Sequence, residues 1–84
     1  MKFIKTANGA YINPDLIVEF YVEKVSLDSA EVNVGLINGS YFVLKKISAE
    51  NEFPKHFDPE NEARIWLDNF VGELQRGGLN HENQ

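Results

Sequence analysis

His56 stands in the stretch PKHFDPE, two residues before Asp58 and four before Glu60. A histidine beside carboxylates could hold a metal ion or form an acid/base pair. Both uses require groups that converge, and here they do not. Asp58 falls at a helix N-cap, Lys55 adjoins the histidine, and the other histidine, His81, lies in the polar tail LNHENQ. Glu60 and Glu62 are two residues apart on the expected helix, which turns them about 200° from each other. Ser26, Ser29, Ser40 and Ser48 fall in turns or at strand ends, outside any nucleophile-elbow pattern. The glycines match neither a phosphate loop nor a dinucleotide fingerprint, and with 0 cysteines there is no thiol nucleophile or thiolate metal site. The expectation is a chain without catalytic residues, cofactor or metal, and not an enzyme.

A second kind of chemistry belongs to aromatic and apolar side chains that could meet another molecule. Ile17, Tyr21, Ile37, Tyr41, Val43 and Ile47, with Lys45, have this character, and strands must display them. LIVEFYVEKV (16–25) alternates, with Leu16, Val18, Phe20 and Val22 on one side and Ile17, Glu19, Tyr21 and Glu23 on the other. SLDS turns the chain, and Ala30, Val32, Val34 and Leu36 continue the inward set. A two-residue turn at Asn38-Gly39 would face Val32 with Lys45 and point Phe42 and Leu44 outward. A three-residue loop, Ile37-Asn38-Gly39 with Gly39 left-handed, instead pairs Val34 with Phe42 and Val32 with Leu44. That register also sets Glu31 opposite Lys45 and Tyr41 opposite Gly35. The same loop at Ala7-Asn8-Gly9 pairs Ile4 with Ile12 in a first hairpin over 2–6 and 10–13. Asn13-Pro14-Asp15 makes a turn in which the aspartate can bond its own backbone.

Residues 48–58 cross from sheet to helix, with Phe53 and Phe57 as expected anchors. Asp58 caps the helix, Pro59 begins it, and Glu60 and Glu62 lie near its positive end. Ala63, Trp66, Leu67, Phe70 and Leu74 form one apolar stripe with Val71 on its flank, and Gly77-Gly78 ends it. Ile65 falls on the polar side, where it could touch another chain.

The 84 residues give one domain over 1–78 with a polar tail over 79–84. The net charge of −5 is localised: residues 50–84 carry Lys55, Arg64 and Arg76 against eight carboxylates, whereas residues 1–49 are balanced. An acidic half suits a phosphate backbone poorly. The opening MKFIKTANGAYIN has no apolar run of signal-peptide length, and no segment approaches the ~20 apolar residues of a membrane span, so a cytoplasmic location is expected.

Two stretches, GAYINPDLIV (9–18) and FDPENEARIWLDNF (57–70), resemble small uncharacterised proteins of Gram-positive bacteria and their phages, built as a β-meander followed by one helix. The resemblance implies that layout over residues 2–76 and a bacterial setting, and it carries no functional residue with it. The first long strand is also similar to that of LytTR-type DNA-binding domains, but their basic recognition segments and length are missing here.

The expected fold is α+β: an antiparallel meander of four to five strands with one C-terminal helix across one face. The Trp66 stripe should meet Val18, Phe20, Val32, Val34, Phe42 and Leu44. One helix covers one face, so the outer face is the expected interaction surface, formed by Ile17, Tyr21, Ile37, Tyr41, Val43 and Lys45, with Ile65 on the helix. The expected function is a non-catalytic protein-interaction module that self-associates as a homodimer, through this face or a strand edge. The alternative is a weak single-stranded nucleic-acid accessory protein, stacking bases on Tyr21 and Tyr41 beside Lys2, Lys5, Lys24, Lys45 and Lys46.

Overall fold

A computed structural model describes residues 3–48 and 58–78. The proposed anchors Phe53 and Phe57, the histidines His56 and His81, Lys2 and the tail over 79–84 lie outside the described residues. The chain is α+β, as expected. Among the described residues, five strands divide into a two-stranded hairpin, β1 (Ile4–Lys5) and β2 (Tyr11–Ile12), and a three-stranded antiparallel meander. The meander strands are β3 (Ile17–Ser26), β4 (Ser29–Leu36) and β5 (Tyr41–Ser48), with β4 in the middle. Helix α1 (Pro59–Glu73) lies over one face of the meander.

The local chemistry explains most of these elements. Gly9 and Gly39 have φ of 93° and 91°, and each closes a three-residue loop. Ile4 pairs with Ile12, and Gly35 with Tyr41 and Val34 with Phe42 follow from the second loop. Between the hairpin and β3, Pro14–Leu16 makes one 3₁₀ turn. Its cap is Asn13 rather than Asp15, with the Asn13 Oδ1 accepting from the Asp15 N–H at 2.9 Å. Asp58 caps α1 as expected, its Oδ1 accepting from the Glu60 and Asn61 N–H groups at 3.1 and 3.3 Å. The helix runs past its last α-turn into a π-turn over Leu74–Gly78, so Gly77 and Gly78 lie inside this turn rather than just beyond a helix end.

The core is formed by Ile4, Ile12, Ala30, Val32, Val34, Leu36, Leu44 and Ala63, and Trp66, Leu67, Phe70 and Leu74 pack against it. The Phe70 ring meets Phe20 edge-on at 6.2 Å and stacks on Trp66 at 5.0 Å. Trp66 is half-buried, so it serves as a wall of the core rather than its centre.

Two bulges overturn part of the expected facing. Ile17 pairs with Leu36 and Glu19 with Gly35, which leaves Val18 as an extra residue. Ile17, expected outside, packs on the core, while Val18 and Leu16, expected inside, are 61% and 44% exposed. On β5 the partners pass from Asn33–Val43 to Val32–Lys45, so Leu44 is extra. Leu44 stays buried, but beyond it the phase changes: Glu31 faces Lys46 rather than Lys45, and Ile47 pairs with fully buried Ala30 and joins the helix side. An extra residue reverses every later side chain of a period-two strand.

Candidate interaction surface

Removing Ile17 and Ile47 from the outer face leaves a smaller, more ordered surface. Its rows follow from the strand pairing: Glu19, Gly35 and Tyr41; then Tyr21, Asn33 and Val43; then Glu23, Glu31 and Lys46. Tyr21 and Tyr41 meet edge to face at 5.8 Å with an 80° interplanar angle, a favoured geometry for aromatic pairs. Gly35 makes room for this. A Cβ on Gly35 would lie 2.8 Å from the Tyr41 ring and 3.1 Å from Glu19, so the tyrosine covers the glycine directly. The Tyr41 hydroxyl donates to Glu19 Oε2 at 3.3 Å.

Electrostatically the tyrosines sit among acids. Loss of water raises the Tyr21 phenol pKa above its ordinary value, and the charges of Glu23, Glu19 and Glu31 and the neighbouring Tyr41 phenol add to the shift. Glu23 and Glu31 are directly opposite each other, an unfavourable pairing, with Lys46 next to Glu31 on β5. Beneath this surface Asn33 is buried, and its Nδ2 has no hydrogen-bond partner among the described residues. An unmet buried donor costs about 1–3 kcal/mol. Nothing in the sequence pattern distinguished Asn33 from any polar outward residue. Its burial comes from its central position between Tyr21 and Val43.

The other expected contact residues are dispersed. Ile37 is exposed at the Asn38-Gly39 loop, 72% accessible, and its N–H donates to the Leu16 carbonyl. Lys45 is exposed at the β5 bulge, away from the tyrosine pair's row. Ile65 is exposed on the helix, as expected, on the opposite layer. The structure therefore brings Tyr21, Tyr41 and Val43 together and separates Ile17, Ile37, Lys45 and Ile65 from them.

The meander's two edges also differ. At β5, the Ala7 N–H of the hairpin loop donates to the Val43 carbonyl at 2.8 Å. At β3, no strand pairs with the outer edge among the described residues. On the helix side, Trp66, Asn69, Phe70 and Glu73 line an open groove of about 240 Å³. Among the described residues no group of three or more His, Asp or Glu is placed to hold a metal ion, and no helix is long and apolar enough to cross a membrane.

The chain matches no family model, no curated protein and no solved structure. The resemblance carried by residues 9–18 and 57–70 thus rests on those residues alone.

Proposed function

We propose that this chain is a non-catalytic protein-interaction module that self-associates through the part of its meander the helix leaves open. One observation carries this: among the described residues, a whole sheet face centred on the Tyr21–Tyr41 pair and the full length of the β3 edge are uncovered. Unpaired strand edges and aromatic surfaces are what sheet proteins use, or must guard, in association. Glu19, Glu23 and Glu31 surround the tyrosines and favour a protein partner over a phosphate backbone. A cytoplasmic, bacterial homodimer is the setting in which this proposal places the chain. Sedimentation at ~100 μM, where a micromolar dimer is mostly formed, is expected to show a mass near twice 9.6 kDa. A mass near 9.6 kDa overturns self-association.

A further inference from the structure

The backbone phase of the open edge follows from the hydrogen bonding at the closed one. The Val43 carbonyl accepts from Ala7, so Val43 turns its polar groups away from β4. Its partner Asn33 must then turn its own N–H and C=O toward β3, because paired residues in an antiparallel ladder either exchange both bonds or neither. Tyr21, opposite Asn33, is therefore bonded inward to β4. Phe20, Val22 and Lys24 alternate with it and present their N–H and C=O groups outward along the edge that is unpaired among the described residues.

Resting on the self-association proposed above, we infer that this edge is the seam: β3 of one copy pairs antiparallel with β3 of a second, about a two-fold axis at Val22. The three-stranded meanders then join into one continuous sheet with both helices on the same side. Other registers are worse on the residues present. An axis at Tyr21 sets Glu19 opposite Glu23 twice, and an axis at Glu23 sets that carboxylate against itself. Axes at Phe20 or Lys24 carry the pairing into the irregularities at Val18 or Val25. The axis at Val22 sets Tyr21 opposite Glu23 of the second copy, and Phe20 opposite its Lys24.

That last pairing supports a copy of this chain as the partner, through the charges it brings together. Lys24 pairs with fully buried Ala30, so its side chain leaves the sheet on the helix side. In the dimer, Lys24 of the second copy arrives beside Phe20, whose ring abuts Phe70. Phe70 lines the groove that also holds Glu73. The edge thus brings a cation toward the groove of the other copy that holds Glu73, and symmetry repeats the pair.

A charge swap tests the seam. Lys24 and Glu73 are both exposed, so their variants are expected to fold, with circular dichroism as the check. In sedimentation of the full chain, Lys24→Glu and Glu73→Lys are each expected to weaken the dimer about tenfold, since each removes two exposed pairs. The double variant is expected to restore the original constant. A dimer whose constant ignores both single changes overturns this seam but leaves self-association standing. If Tyr41→Glu with Val43→Glu then gives the monomer, the outer faces meet instead. A wild-type monomer at ~100 μM overturns both proposals together.

Discussion

The meander's two edges have the same kind of backbone and opposite treatment. At β5 a short hairpin, held by buried Ile4 and Ile12, brings the Ala7 N–H to the Val43 carbonyl. At β3 the described chain provides no such cover, although this is the longest strand and carries exposed Val18 and Val25. Among the described residues, one edge receives a backbone bond from another element and the longer one receives none. The hairpin also contributes to the core, so closing the β5 edge and stabilising the fold are one task. The β3 edge is free of that coupling.

Substitutions can test this contrast. Ile12→Ala is expected to have the largest effect, about 2–5 kcal/mol lost in urea denaturation, because it both opens a cavity and loosens the hairpin from β5. A change below 1 kcal/mol would show that the closed edge does not depend on the hairpin. Gly9→Ala should cost about 1 kcal/mol: no atom lies within 4 Å of the new Cβ, so only the backbone at φ 93° resists it. Gly39→Ala should cost a similar amount by the same mechanism at φ 91°. Differential scanning calorimetry of the two variants would separate conformational cost from loss of the edge contact, since only Gly9 lies in the hairpin beside Val43. The smallest effect is expected at the open edge. Val18→Thr keeps a β-branched side chain at an exposed bulge and should change the unfolding free energy by less than about 0.5 kcal/mol. A loss above 1 kcal/mol there would mean that Val18 is covered.

Residue types and spacing showed both loops, the capped helix, its stripe and the fold class. The Asn-Gly pairs require positive φ, and the inward residues agree with only one loop length. The bulges were not legible. At Ile17-Val18-Glu19 and Leu44-Lys45 the side chains fit an unbroken alternation as well as a broken one, and only packing against Leu36 and Ala30 decides between them. This is why Ile17 and Ile47 were expected outside and Val18 inside. Tyr21 and Tyr41 were correctly placed, because the stretches from Glu19 to Lys24 and from Tyr41 to Val43 keep a regular register. The burial of Asn33 could not be foreseen, since an outward asparagine is exposed or covered according to its neighbours on other strands. Buried Thr6 was missed for a similar reason: its hydroxyl donates to Asn8 Oδ1 at 2.6 Å and accepts from the Ala10 N–H at 3.0 Å, a loop network that the hairpin pattern does not announce.

The bond between Ala7 and Val43 also sets an order of events in folding. The turns joining β3 to β4 and β4 to β5 close locally, whereas the hairpin and the strand it covers lie at opposite ends of the sheet-forming sequence. Long-range closure incurs the larger loop entropy and so comes late. During synthesis the hairpin emerges first, yet it has nothing to dock against until the last strand is complete. Late docking of the hairpin on β5 is therefore the expected slow step of closure.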